Sequence, residues 1–136
     1  MIAIDTSAIA AIAFDEAERG AFVDIVKRAD RVLVSAPTVL EARMVVFGRR
    51  GARALVLLDD LVRLPSFEIV PLGEVELAAA WGAFVVYGKG SGHPAGLNYG
   101  DVFSYAVAKA RGVPLLFKGE DFVHTDIEAA WRPDPA

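Results

Sequence analysis

The chain of 136 residues contains no cysteine and only two histidines. The missing thiols exclude disulfides, zinc–thiolate sites and cysteine nucleophiles, and they fit a cytoplasmic protein. Two histidines are too few to favour a histidine metal cluster. Long apolar runs are absent as well: the uncharged stretch 77–88 is too short to span a bilayer, so no membrane association is expected.

A strong basic charge is also missing, because the formal net charge is −4. Taken alone, this argues against a general nucleic-acid-binding protein. The average hides a local cluster, however: Arg43, Arg49, Arg50 and Arg53 lie within eleven residues, and Lys118 belongs to a looser second group. A phosphate backbone is therefore not excluded as a ligand, with a solvated helix face as the alternative explanation of the arginines.

Apolar residues make up 54% of the chain, enough for one substantial core, and we expect a single domain over residues 1–136. Apolar segments predict strands at 1–4, 31–34, 67–70 and 113–117, with a weak fifth near 127–131. Helical patterns cover 8–14, 16–29, 37–47, 52–63, 74–87 and 101–111, and the glycine-rich stretch 88–100 indicates a loop. This alternation predicts an α/β fold with a central parallel sheet of four to five strands, flanked by helices on both faces.

Four carboxylates lie where an apolar segment meets a turn or a helix: Asp5, Glu41, Asp101 and Asp121. Ligands of open parallel sheets bind beyond the carboxyl ends of the strands, and Asp5 and Asp121 both follow predicted strands closely. Four acids gathered there would repel one another unless a cation neutralised them. The pattern therefore predicts a divalent metal site that acts on phosphate.

Two of these acids also have an ordinary explanation as helix caps. Asp5 could cap the helix that follows it, although Thr6 and Ser7 are better placed for that role. Asp101 follows Asn98 by three residues, a spacing typical of a capping arrangement. The position of either acid, taken alone, is therefore explained at least as well by helix capping as by a metal site.

Glu41 has the strongest physical case, because its helix is apolar almost all round and offers it no partner. A buried carboxylate there needs a metal or hydrogen bonds, whereas the alternative is a half-exposed glutamate near the helix N-terminus. The fourth position is open among three acids: Asp121 lies in a loop with Glu120 beside it, and Asp126 follows in a sequence that could begin a helix.

Four short motifs together resemble a known family. They are Ile4-Asp5-Thr6-Ser7, a glutamate on the third helix, Asn98-Tyr99-Gly100-Asp101 at the start of a later helix, and Gly119-Glu120-Asp121-Phe122 after a late strand. In this order, and over nearly the whole chain, they are similar to the PIN domain, and in particular to the VapC toxins of bacterial type II toxin–antitoxin pairs.

The resemblance implies a PIN-like three-layer fold and an Mg²⁺- or Mn²⁺-dependent endoribonuclease that cleaves tRNA, rRNA or mRNA. It also implies a homodimer and a cognate antitoxin that blocks the site. The catalytic metal site would comprise Asp5 and Asp101 as direct ligands, and Glu41 and Asp121 acting directly or through water. Thr6 or Ser7 would assist there, Asp126 is a further candidate, and the RNA backbone would contact Arg43, Arg49, Arg50 and Lys118.

Two other functions would also use these residues. A metal-dependent phosphatase of small phosphomonoesters would need the same ion, but Asp5-Thr6-Ser7 lacks the second acid that an aspartyl-phosphate mechanism uses. A non-catalytic module that binds protein or RNA would not need to keep all four acids. The sequence therefore favours the ribonuclease.

Overall fold

The computed structural model describes residues 1–135, and its centre is a parallel sheet of four strands in the order β3-β2-β1-β4. The strands are β1 (Ile2–Ile4), β2 (Val32–Ser35), β3 (Phe67–Val70) and β4 (Leu115–Leu116). The helices are α1 (Thr6–Ala13), α2 (Arg19–Arg28), α3 (Ala36–Arg50), α4 (Leu55–Val62), α5 (Glu74–Tyr87) and α6 (Tyr99–Arg111), and a 3₁₀ turn at Ala52–Ala54 precedes α4. The predicted three-layer α/β architecture is thereby confirmed.

The two faces of the sheet carry separate halves of the core. Successive side chains of a strand point to opposite faces, so neighbours in β1 and β4 go to different layers. Ala3 and Leu115 pack with residues of α5 and α6, whereas Ile4 and Leu116 pack with residues of α1 to α4. Because β1 and β4 are adjacent and parallel, the residues that follow them leave the sheet side by side at its carboxyl edge.

The weak fifth strand near 127–131 is reduced to a single bridge. Leu115 pairs with Ala129 in parallel, its N–H donates to Glu128 O at 2.9 Å, and its carbonyl accepts from Ala130 N at 2.9 Å. The C-terminal segment therefore returns to the outer side of β4 without extending the sheet as a full strand.

Helix α3 differs from its prediction in length and in burial. It continues through Gly48 to Arg50 and is followed by the C-cap Gly51, whose φ of 76° suits glycine. Its outer side chains are exposed: Leu40 by 61%, Met44 by 66% and Phe47 by 57%. The prediction that this helix is buried almost all round is therefore wrong, because the described chain covers only one of its faces.

Four other helix starts are shifted by two or three residues: α1 begins at Thr6 and not at residue 8, and α4 begins at Leu55 and not at residue 52, after the 3₁₀ turn. Helix α2 begins at Arg19 and not at residue 16, because the chain first turns at Asp15, which has a φ of 53°. Helix α6 begins at Tyr99, two residues before the predicted start, with Asn98 as its N-cap. Among residues 1–135, no helix combines the length and the apolarity that a membrane crossing requires.

Candidate metal centre

Asp5 ends β1 and caps α1, so its carboxylate lies at the carboxyl edge of the sheet. Its Oδ2 accepts from Ser7 N at 3.0 Å and from Ser7 Oγ at 2.7 Å, and its Oδ1 accepts from Ser104 Oγ at 2.5 Å. The prediction that Thr6 or Ser7 is the better cap is wrong: the carboxylate reaches the N–H of the second helical residue, as an N-cap does. Asp5 is only 5% exposed, and three donors fix its orientation.

Glu41 lies on α3, half-buried, and its partner comes from another helix. Thr6 Oγ1 donates a hydrogen bond of 2.5 Å to Glu41 Oε1, which connects α1 with α3. The carboxylate also lies against the backbone of Gly100, where an added Cβ would overlap both of its oxygens. As expected, Arg43 does not pair with Glu41; its guanidinium contacts Asp59.

Asp101 lies in the first turn of α6, where a reciprocal capping box holds it. Asn98 N donates to Asp101 Oδ2 at 3.0 Å, and Asp101 N donates to Asn98 Oδ1 at 2.9 Å. Burial raises the pKa of Asp101 to about 7, against the opposing effect of the Asn98 N–H. The charges of the other three acids raise this pKa further, so all four carboxylates interact electrostatically.

Asp121 lies in the loop after β4, with much of its surface exposed. Partial burial of its carboxyl group raises its pKa, and the charge of Asp5 raises it further. The mutual effect follows from topology, because Asp5 and Asp121 come from the adjacent parallel strands β1 and β4. The structure therefore brings Asp121 into the group of acids.

The other two candidates for the fourth position lie differently. Both oxygens of Asp126 are engaged, one by Tyr105 Oη and the other by Lys109 Nζ, each at 2.6 Å. These hydrogen bonds and the charge of Lys109 lower the pKa of Asp126. Asp126 thus attaches the C-terminal segment to α6, while Glu120 is exposed on the loop beside Asp121.

A buried row of hydroxyl groups supports the acids, and two of its members, Thr38 and Ser104, were not predicted from the sequence. Ser104 donates to Asp5 and lies 3.3 Å from Thr38 Oγ1, and both hydroxyl residues are at most 2% exposed. Lys118 N donates to Ser7 Oγ at 3.0 Å, which attaches the β4 loop to the same row. A signal did exist: Ser104 follows Asp101 by three residues, so it shares one helix face with that acid.

The cations proposed for the RNA backbone are each attached to another part of the chain. Arg43 pairs with Asp59, and Lys118 Nζ lies 3.3 Å from Glu16 and 3.1 Å from Glu18. Arg49 and Arg50 are exposed residues, and their guanidinium groups lie over the Phe14 ring, 4.0 and 5.4 Å from its centroid.

The acids fit a hard divalent cation held partly through water. In residues 1–135, no three His, Asp or Glu side chains are close enough to hold one ion among them. Magnesium does not require that, because it usually keeps several waters and binds one or two carboxylates directly. The carboxylates supply hard oxygen ligands. The pKa of Asp101 is raised mainly by burial and further by the charges of the other acids, and a cation would relieve that repulsion.

The raised pKa of Asp101 predicts how stability depends on pH without metal. Its folded pKa of about 7 exceeds the ordinary 3.8, so folding favours the protonated acid. The resulting stability is present at low pH and is lost as the pH rises through about 7. We expect the melting temperature in chelator to fall between about pH 5.5 and about pH 8. Asp101→Asn should reduce that fall; an identical pH profile in both proteins would contradict the assignment.

Comparison with known proteins identifies relatives both by sequence and by fold. The family model for the PIN domain matches residues 2–128. VapC ribonuclease Mb0625 of Mycobacterium bovis is 42% identical over 127 residues, covering 93% of this chain and 96% of that protein. Ribonuclease VapC30 of Mycobacterium tuberculosis is 43% identical over 133 residues, covering 96% and 98%.

Two solved structures have the same fold. One is Mycobacterium tuberculosis VapC20, described as a sarcin–ricin loop cleaving toxin, with a TM-score of 0.79, 20% identity and coverage of 98% of this chain and 100% of that one. The other is VapBC2 from Rickettsia felis bound to a DNA fragment from its promoter, with a TM-score of 0.74, 12% identity and coverage of 95% and 97%.

Proposed function

The chain belongs to the PIN domain family, and from this premise we propose that it is a metal-dependent endoribonuclease, the toxin of a type II toxin–antitoxin pair. One observation carries the proposal: acids from four separate segments interact, since the charges of Asp5, Asp121 and Glu41 add to the effect of burial in raising the pKa of the fourth, Asp101. We propose Mg²⁺ or Mn²⁺ as the ion and a single domain over residues 1–136. We also propose a cytoplasmic location, since the RNA on which a toxin of this kind acts is found there.

The chain's own residues divide into ligands and groups that orient them. We assign direct metal contacts to Asp5 and Asp101, and contacts through water to Glu41 and Asp121. When bound, the ion would activate a water molecule and stabilise the charge that develops on the phosphate. Ser7 and Ser104 hold the Asp5 carboxylate, and Thr6 holds that of Glu41, so both acids keep their positions without the ion.

Exposed arginines extend the surface that the RNA backbone can contact. Arg49 lies eight residues after Glu41 on α3, which is about 12 Å along a helix. We propose that Arg49 and Arg50 contact phosphates away from the cleaved bond, since both residues are exposed and pack on Phe14. Arg43 already pairs with Asp59, and Lys118 with Glu18. Each cation would have to break its ion pair, or keep it while also contacting a phosphate, to bind RNA.

Two apolar surfaces support the proposed protein partners. A groove of about 250 Å³ between α1, α2 and α4 is lined by Ile9, Ile12, Val23, Leu57 and Leu61, among others. Its mostly apolar lining suits the apolar face of a helical segment of an antitoxin. The face beside Glu41 instead presents protruding side chains, with Leu40 61%, Met44 66% and Tyr99 81% exposed. We propose that a second copy of the chain covers this face.

The activity can be tested directly with purified protein and structured RNA. Fragments of tRNA and rRNA are incubated with the protein in Mg²⁺, in Mn²⁺ and in chelator, with a phosphomonoester as the competing substrate class. We expect cleavage of at least one RNA only when a divalent ion is present. Hydrolysis of the phosphomonoester without RNA cleavage would instead support the phosphatase.

The metal should also stabilise the fold, because a ligand that binds only the folded state raises its stability. At a concentration about 100 times its dissociation constant, the gain is about 2.7 kcal/mol. We expect Mg²⁺ at millimolar concentration to raise the melting temperature, and Asp101→Asn to remove most of this shift. An equal shift in both proteins would place the ion elsewhere.

A further inference from the structure

A cavity lies against the loop that follows β4, and its lining mixes aromatic, cationic and acidic groups. Its volume is about 440 Å³, within the range of about 300–1,000 Å³ that small-molecule sites have. The residues that matter here are Trp131, Arg132, Lys118, Glu18 and Glu120. The face beside Glu41 differs, because the residues that form it are almost all apolar.

The cavity and the acids share the loop after β4. Gly119 and Glu120 line the cavity and directly precede Asp121 in the chain. Lys118, also in the lining, donates its N–H to Ser7 Oγ at 3.0 Å, and Ser7 in turn donates to Asp5 Oδ2 at 2.7 Å. The same loop therefore contributes to the lining of the cavity and carries one of the acids.

We propose that the cavity is a nucleobase pocket, which receives an unpaired base next to the cleaved phosphate and prefers bases that carry an exocyclic amino group. This inference rests on the proposed ribonuclease function. Trp131 provides the stacking surface: it is partly exposed, and its ring packs in a T-shaped pair with Phe22, with centroids 5.2 Å apart and an angle of 85°. Proteins commonly bind unpaired bases by stacking them on such rings.

The charges of the lining favour a base over a phosphate. Two acids, Glu18 and Glu120, balance two cations, Lys118 and Arg132, so the lining carries no net formal charge. Lys118 is already neutralised by Glu16 and Glu18, at 3.3 and 3.1 Å. A phosphate would meet little positive potential there, whereas an uncharged base would not be repelled.

The two exposed charged groups set the preference among bases. The Glu120 carboxylate can only accept hydrogen bonds, so it favours an edge with amino N–H groups, as acidic side chains do with cytosine N4. The Arg132 guanidinium can only donate, so it suits the ring nitrogen or carbonyl acceptors of the same base. Uracil lacks an amino group and would therefore offer fewer N–H donors to the Glu120 carboxylate.

The positions of the two tryptophans allow a test that does not involve cleavage. Trp81 lies on α5 and is 66% exposed, whereas Trp131 lines the cavity. Trp81→Phe therefore leaves Trp131 as the only indole, and its fluorescence is titrated with short oligoribonucleotides in chelator at low salt. We expect quenching by oligo-adenosine or oligo-cytidine, with binding of oligo-uridine weaker by at least about fivefold.

Two matched variants complete the experiment. Trp131→Phe keeps an aromatic ring against Phe22, and the fluorescence of this variant comes from Trp81 alone. That fluorescence should not be quenched by the oligomers. Arg132→Ala, made together with Trp81→Phe, removes an exposed side chain and should weaken the binding of amino-bearing oligomers several-fold. Absent quenching, equal binding of oligo-uridine, or quenching that persists in Trp131→Phe would each overturn the pocket. Failure of the ribonuclease proposal would appear separately, as no cleavage by the unmodified chain in Mg²⁺.

Discussion

Asp5→Asn should reduce metal-dependent RNA cleavage by more than about 100-fold, since changes to groups that merely support a metal ligand already cost about 10- to 100-fold. The fold should persist, because asparagine caps helices about as well as aspartate. The new amide can face Ser104, whose hydroxyl both donates and accepts. Cleavage rates and the far-UV circular dichroism of both proteins check the two statements. Cleavage at the unmodified rate would remove Asp5 from the metal site.

Asp126→Asn is the matched control for this substitution. It makes the same chemical change at an acid of the same chain, but the Asp126 oxygens contact Tyr105 and Lys109. We expect cleavage within about twofold of the unmodified rate and a modest loss of stability, of order 1–3 kcal/mol at most. A loss of cleavage equal to that of Asp5→Asn would return Asp126 to the list of site acids.

Gly100→Ala should separate activity from stability. A Cβ at Gly100 would overlap the carboxylate of Glu41, which is the end of a flexible side chain and can move away at little cost. Helix α6 should therefore stay folded, with unfolding free energy changed by less than about 1 kcal/mol. The displaced carboxylate should lower cleavage by about 100-fold, as a misplacement of about 1 Å can do. Denaturant unfolding and initial cleavage rates measure the two effects.

Gly48→Ala provides the comparison on the helix that carries Glu41. An added Cβ there has no neighbour within 4 Å, so nothing near the acids is displaced. Alanine should stabilise α3 by about 0.5–1 kcal/mol and leave cleavage unchanged. If both glycine substitutions lower cleavage equally, close packing at Gly100 is not the cause.

The sequence predicted the parts of the fold that follow from local pattern. The four strands and the six helical segments follow from apolar periodicity, and the nearness of Asp5 to Asp121 follows from the rule that parallel strands end at one edge. The capping role of Asn98 followed from its spacing to Asp101. These features depend on short segments and on one general rule of topology.

Features that depend on long-range packing were not predictable in the same way. Whether the apolar outer face of α3 is covered depends on the other elements, and the described chain leaves Leu40 and Met44 exposed. The contact of Thr6 with Glu41 joins residues 35 positions apart, and that of Ser104 with Asp5 joins residues 99 apart. Asp5 caps α1 and also interacts with the other acids, so a role as a helix cap does not exclude a role at the metal site.

The bridge between β4 and the C-terminal segment has a consequence for solubility. In the order β3-β2-β1-β4, β4 is an outer strand, and an outer strand with free N–H and carbonyl groups can pair with another chain and aggregate. Here the outward N–H and carbonyl of Leu115 are already bonded to Glu128 and Ala130. The Asp126 contacts keep that segment against α6, so residues 126–130 protect the outer edge of β4, the strand that precedes Asp121.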